Sequence, residues 1–243
     1  MNVYGGFAYM YDLLMADIPY ESWAAYIDSA LLRHFNGKCQ GRIVLDLACG
    51  TGNITLPLAR LGYDMIGVDI STDMLAQAQA KLAGEPVLFL AQDMRRLDLY
   101  GTVDAAICTC DGLNYILEEA ELAAVFKRVR MFLNPGGIFI FDMNTRYKFD
   151  KLLGGKSFTG EAGGASFVWD NHFDPATGIN EYQVEFTPAA GQPFVEVHRQ
   201  RAYPTDFVCE LLQAAGFSTV AVRDGYSENA PGDDCSRVVF VAV

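Results

Sequence analysis

The stretch "VLDLACGTGNIT", Val44 to Thr55, decides the fold. The apolar run "RIVLDLA", from Arg42 to Ala48, leads into Gly50 and Gly52 and then into a helical pattern, "NITLPLARLG". An apolar run without alternation suits a parallel strand covered on both faces. A glycine turn between strand and helix gathers backbone N–H groups at a helix N-terminus and lets a ligand approach the main chain. The third small residue of a dinucleotide turn falls at position 55, where threonine stands. Asp46, on the strand side of the turn, sets a negative charge where a pyrophosphate would lie. The turn therefore suits an adenosine ligand with a cationic tail better than a dinucleotide.

The same strand–turn–helix rhythm continues downstream. "DMIGVDI" is a second strand, ending at Asp69, where an acid can accept hydrogen bonds from ribose hydroxyls. "STDMLAQAQAKL" is a helix capped by Ser71 or Thr72. "VLFLAQD", "VDAAICTC" and "IFIFDMN" are the third to fifth strands, with the helix "EAELAAVFKRVRMFL" closed by "NPGG" before the fifth. This alternation predicts an α/β fold with a doubly wound parallel sheet. Residues 1–37 read as an aromatic helical segment broken at Pro19. Within residues 151–203 the rhythm breaks: "SFVWDNHFD", "INEYQVEFT" and "FVEVHRQRAY" predict three antiparallel strands, the first turn being "DPATG". A helix, "TDFVCELLQAAGF", and two strands, "STVAVRD" and "RVVFVAV", close the chain. The expected organisation is an N-terminal segment (1–37), a main domain (38–150 with 204–243) and an inserted β unit (151–203).

Composition narrows the partners. The 243 residues are 51% apolar and carry a net charge of −12, which argues against a phosphate backbone as partner. Lys127, Arg128 and Arg130 form the densest basic group and read as a solvated helix face. The six cysteines contain no C-x-x-C pair, so reduced thiols, a cytoplasmic protein and no metal are expected. No apolar run reaches the length of a membrane span, and no basic leader precedes the acidic N-terminal segment.

The constellation Asp46-x-Ala48-x-Gly50-x-Gly52, then "GVDIS" with Asp69, "AQDMRRL" with Asp93, and "LNPGGIFIFD" resembles the class I S-adenosylmethionine-dependent methyltransferases. The resemblance covers residues 40–145 and, by pattern, the C-terminal strands. It implies a seven-stranded sheet of order 3-2-1-4-5-7-6, and S-adenosylmethionine as cofactor with S-adenosylhomocysteine as product. It also implies a cofactor site of Tyr11, Asp46, Ala48, Cys49, Gly50, Gly52, Asp69, Ile70, Met74, Asp93, Met94 and Cys110, with Asp93 and the Met94 N–H reading the adenine. "YGGFAYMYDLLM" is similar to the opening of small-molecule N-methyltransferases, especially bacterial sugar N,N-dimethyltransferases, and to related bacterial methyltransferases of unassigned substrate. That similarity sets Tyr11, or in second place Tyr4, against the methionine part of the cofactor, and makes the insertion a roof over the acceptor.

Methyl transfer is an in-line displacement, so alignment and exclusion of water are the enzyme's main contributions. By family position Asp111, Asn114 and Tyr115, after the fourth strand, face the methyl group, with Asp111 able to hold an ammonium or accept a proton. His198 is the histidine best placed to reach the pocket; the sugar enzymes keep theirs after the fourth strand, where this chain has none. Asp142 and Asn144 end the fifth strand at the pocket rim, and Arg146 could pair with an anionic acceptor. The expected function is methyl transfer to a small-molecule acceptor, an amine nitrogen first and oxygen or carbon next, in a monomer or homodimer. RNA or protein methylation and non-catalytic cofactor binding are the alternatives. Thr55 and Asp46 disfavour a nicotinamide-dependent dehydrogenase.

Overall fold

The computed structural model describes residues 7–188 and 192–243; Tyr4 lies outside them. Two helices, α1 (Phe7–Leu14) and α2 (Tyr20–His34), precede β1 (Ile43–Leu47), α3 (Thr55–Arg60), β2 (Asp64–Asp69), α4 (Thr72–Lys81), β3 (Leu88–Ala91), β4 (Val103–Cys108), α5 (Glu119–Phe132) and β5 (Leu133–Asn144). A π-helical turn at Lys148–Leu153 leads into β6 (Ser157–Ala162), β7 (Ala165–Asp174), β8 (Ile179–Pro188) and β9 (Phe194–Arg201). The chain ends with α6 (Thr205–Ala214), β10 (Val220–Asp224) and β11 (Arg237–Ala242).

The main sheet runs β10-β11-β5-β4-β1-β2-β3, which is the expected 3-2-1-4-5-7-6 order once the inserted strands are set aside. Strands β1 to β5 are parallel, and β11 runs antiparallel to both β5 and β10. Because β1 pairs with both β2 and β4, the strand order reverses between β1 and β4. A crevice opens beyond the C-terminal strand ends at such a reversal. Both sheet faces are covered, as the unalternating strands require. Phe126, Phe139, Phe141 and Phe240 fill one side, where the Phe141 and Phe240 rings stack at 4.7 Å. Ile27 and Leu31 of α2, with Leu58 of α3 and Met65, fill the other. Ser71 caps α4, its Oγ accepting from the Met74 N–H at 3.2 Å.

The insertion is a sheet of four strands, β6-β7-β8-β9, where the sequence predicted three. The added strand, β6, forms a hairpin with β7 through Gly163-Gly164, both at positive φ as a tight hairpin turn requires. Its sequence, "SFTGEA", is nearly devoid of alternating apolar residues, so periodicity did not expose it. One face of the small sheet is exposed. The other carries Tyr182, Val184 and Phe186 into an apolar cluster with Ala8 and Met10 of α1 and Met74 of α4. The insertion and α1 thus close over the crevice together.

Among the described residues, no helix is long and apolar enough to cross a membrane, and no group of three or more His, Cys, Asp or Glu could hold a metal.

Candidate active site

A cavity of about 310 Å³ occupies the crevice, a size suited to a small ligand. Gly50 borders it at φ +55, and a Cβ there would meet no atom within 4 Å, so the bare backbone faces open space. Ala48 holds φ +53 immediately before the turn, a left-handed conformation that disfavours any side chain. Asp69 braces the turn. Its Oδ2 accepts from the Gly50 N–H at 2.9 Å and its Oδ1 from the Ser71 N–H at 2.8 Å, while burial raises its pKa. Beside it Ile70 is 61% exposed, an apolar surface at the cavity wall.

Asp93 and Met94 form the next part of the wall, and Arg95 joins them. The Arg95 guanidinium grips the Asp93 carboxylate, Nη2 to Oδ2 at 2.6 Å, and reaches Glu121 at 3.1 Å. That grip holds the Asp93 carboxyl below its ordinary range, so it presents acceptor oxygens only. Tyr11 on α1 and Met15 just past its end, whose N–H donates to the Tyr11 carbonyl at 2.9 Å, complete the cavity from above.

The turn after β4 carries two successive left-handed residues, Cys110 (φ 55) and Asp111 (φ 56). Strain of this kind persists only where the surroundings enforce it, and Asp142 does so. It is fully buried and accepts the Cys110 N–H at 2.9 Å and the Asp111 N–H at 2.7 Å. Arg237 bridges Asp142 and Asp111 (Nη2 to Asp111 Oδ1, 2.7 Å) beneath the ring of Trp23, and the Tyr226 hydroxyl donates to Asp142. Gln200 Nε2 donates to the other Asp111 oxygen at 2.5 Å. Asp111 therefore has both oxygens engaged. Tyr115 lines the cavity nearby, its hydroxyl 2.6 Å from that of Tyr182 and 3.3 Å from His198 Nδ1. His198 stacks on Tyr182 at 4.7 Å, and burial lowers its pKa to about 4.

The methyltransferase-domain family profile matches residues 44–137. YqeM of Bacillus subtilis (strain 168), named as a methyltransferase, is 34% identical over 99% of this chain and 96% of its own length. A relative from Geobacillus sp. (strain WCH70), also named as a methyltransferase, is 33% identical over 98% of both chains. The chain belongs to the class I S-adenosylmethionine-dependent methyltransferases. It is an enzyme, with S-adenosylmethionine as its cofactor. The crystal structure of an S-adenosylmethionine-dependent methyltransferase from Clostridium acetobutylicum superposes with a TM-score of 0.87 at 29% identity, covering 99% of this chain and 98% of the other. That of the sugar N-methyltransferase KedS8 from Streptoalloteichus sp. superposes at 0.77 with 25% identity, covering 96% and 92%.

In this methyltransferase the cavity gathers Tyr11, Ala48, Gly50, Asp69, Ile70, Met74, Asp93, Met94, Cys110, Asp111 and Tyr115 from five separate stretches of chain. Cys49 borders a smaller adjoining hollow of about 20 Å³. Other predicted residues stand outside the main cavity wall. Asp46 stands outside both cavity walls, 1% exposed beneath the turn, where its Oδ2 accepts from the Thr55 hydroxyl at 2.6 Å. Its Oδ1 finds no hydrogen-bond partner among the described residues, and burial, the largest influence, pushes its pKa up to about 7. Thr55 is thus the partner of Asp46 rather than a missing glycine. Gly52 is a packing glycine, since a Cβ there would come within 2.9 Å of Leu82 Cδ1.

Asn114, expected to face the methyl group, is fully buried. It donates to the carbonyls of Asn144 (3.1 Å) and Arg201 (2.8 Å) and accepts from the Asn144 N–H (2.9 Å), fastening β5 to the insertion. His198 is 2% exposed, behind Tyr115 rather than in the wall. Asp142 and Asn144 are buried supports, not rim residues. Arg146 is tied to the Pro175 carbonyl at 2.9 Å and lies over the Phe173 ring. The sequence reading missed Arg95, Gln92 and Tyr182 in the wall, and Gln200 and Arg237 behind it. Arg95 had a signal in its nearness to Asp93. Gln200 and Arg237 had none, standing 89 and 126 residues from Asp111.

Proposed function

We propose that this enzyme methylates a neutral amine nitrogen of a small molecule. The observation that carries the reading is that the described residues of the cavity wall include no histidine or lysine, and that their carboxylates, Asp69, Asp93 and Asp111, are each held by donors of the protein itself. His198, held near pKa 4, stays neutral and takes up protons poorly at physiological pH. Asp111 has its oxygens committed to Arg237 and Gln200. A hydroxyl nucleophile would need deprotonation, whereas a neutral amine brings its own lone pair. The size of the cavity, roofed by α1 and the insertion, supports an acceptor of small size, and the likeness to a sugar N-methyltransferase is consistent with nitrogen.

In this reading Gly50 and Ala48 give the cofactor close access to the backbone, Asp69 accepts from its ribose hydroxyls, and Asp93 with the Met94 N–H reads the adenine between apolar side chains such as Ile70. The cofactor supplies an electrophilic methyl group on a sulfonium. Tyr11, Tyr115 and Tyr182 exclude water and present electron-rich ring faces and hydroxyl oxygens to the positive charge that grows on nitrogen. Well-oriented reactants remove about 7–11 kcal/mol of a barrier.

Matched pairs of small amines and the corresponding alcohols, assayed for S-adenosylhomocysteine formation from pH 6 to 9, test the reading. Turnover confined to amines, rising with pH up to the pKa of each amine, is expected. Turnover of alcohols or of RNA, with none of amines, would refute it.

A further inference from the structure

We propose that Asp12, with Lys81 as its counter-ion, is a positioning residue that fixes roof and floor of the cofactor cavity to one another. The proposal rests on the cofactor already established and is independent of the acceptor. Asp12 lies on α1 next to Tyr11. Its Oδ1 accepts from the Thr51 hydroxyl at 2.6 Å and from Asn53 Nδ2 at 3.0 Å, and its Oδ2 meets Lys81 Nζ at 2.6 Å. Lys81 closes the network by donating to Thr51 Oγ1 at 3.1 Å and to Asn53 Oδ1. Three segments are thereby joined: the roof helix α1, the glycine turn on either side of Gly52, and the last residue of α4. The cation also suits its position, since a helix C-terminus favours positive charge.

The network explains how so short a helix can present a fixed face. An eight-residue helix has little stability of its own and takes its orientation from tertiary contacts. Met10 and Ala8 hold α1 to the insertion through the cluster with Tyr182, Val184 and Phe186. Asp12 holds it to the glycine turn. Restrained from two directions, α1 is held against rolling, and Tyr11, with Met15 just past the helix end, faces the cavity. The same carboxylate restrains Thr51 and Asn53, so it also steadies the turn whose Gly50 backbone borders the cofactor space.

The test is the dissociation rate of S-adenosylhomocysteine, measured by stopped-flow fluorescence and surface plasmon resonance on the full chain. Asp12→Asn and Lys81→Met should each raise that rate about tenfold, the scale for loss of a half-exposed charge-assisted network. Lys81→Arg should retain most of the parent behaviour. Asp12→Asn combined with Lys81→Met should release the ligand no faster than either single variant, because both act on one network. Melting temperatures measured alongside separate positioning from folding. Single-variant rates within twofold of the parent overturn the proposal, as do effects that multiply in the double variant or a rate change that simply follows loss of melting temperature. A parent chain that fails to bind the ligand would instead overturn the cofactor assignment, a distinguishable outcome.

Discussion

Replacing Asp46 by asparagine should make this enzyme more stable at alkaline pH while weakening its hold on cofactor. The carboxyl is fully buried, one oxygen has no hydrogen-bond partner among the described residues, and its pKa stands at about 7 instead of 3.8, with desolvation the largest cause. A carboxyl with a raised pKa is favoured in the fold when protonated. Its stabilisation is complete below pH 3.8 and is lost as pH rises through 7. At 1.36 kcal/mol per tenfold, this difference bounds the loss at about 4 kcal/mol well above pH 7. Asparagine keeps an oxygen for the Thr55 hydroxyl and carries no charge, but it buries an unpaired amide N–H₂, which costs about 1–3 kcal/mol. The net gain at pH 8.5 is therefore roughly 1–3 kcal/mol, a rise of about 2–12 °C in melting temperature for a chain of this size. At pH 5, where Asp46 is already neutral, the variant should be no better than the parent or slightly worse. Thermal melts of both proteins at half-unit steps from pH 5 to 8.5 provide the measurement. A parallel pair of curves, with a constant difference at every pH, would refute the reasoning. Calorimetry with S-adenosylmethionine at pH 8.5, where the parent's Asp46 is charged, should show weaker binding by the variant, because the attraction of that charge for a cationic ligand tail is lost.

Two further outcomes follow from the supports of the site. Asp69→Ala deletes the acceptor of the Gly50 and Ser71 N–H groups; at about 1.5–3 kcal/mol per hydrogen bond to a charged group, calorimetry should show S-adenosylhomocysteine binding at least tenfold weaker, and unchanged affinity would remove Asp69 from the site. Arg237→Met leaves the buried Asp142 and the half-buried Asp111 without their cation; the expected destabilisation of about 3–5 kcal/mol, read as urea midpoint or melting temperature, should exceed that of Arg33→Met, whose ion pair with Glu228 is exposed.

The doubly wound class of the sheet and its glycine turn were legible because their information is local, whereas the strand order came with the family resemblance. An unalternating apolar strand, a glycine turn and an acid at the next strand end occupy fixed offsets along the chain, and parallel strands with helical crossovers admit few topologies. Asp69 could be marked on those grounds, and Asp93 through the family resemblance. The acceptor end was less legible. Asn114 and Tyr115 are neighbours in the short turn Gly112–Tyr115, yet one is locked to the main chain of β5 and the insertion while the other borders the cavity. Nothing in sequence spacing separates them, because the direction of a side chain there is set by what packs against it. The β6 strand escaped notice for a related reason: its residues gain their conformation from pairing with β7 rather than from a pattern of their own.

By itself, then, the chain's amino-acid order determined a doubly wound sheet and an adenosine-binding turn. Only tertiary structure decided that Asp46 answers to Thr55, that Arg237 pairs with both Asp111 and Asp142, and that Asp12 reaches Thr51, Asn53 and Lys81. Those decisions belong to packing because burial makes an unpaired charge expensive, and the partner that relieves it comes from whichever segment the fold brings near, however distant along the chain.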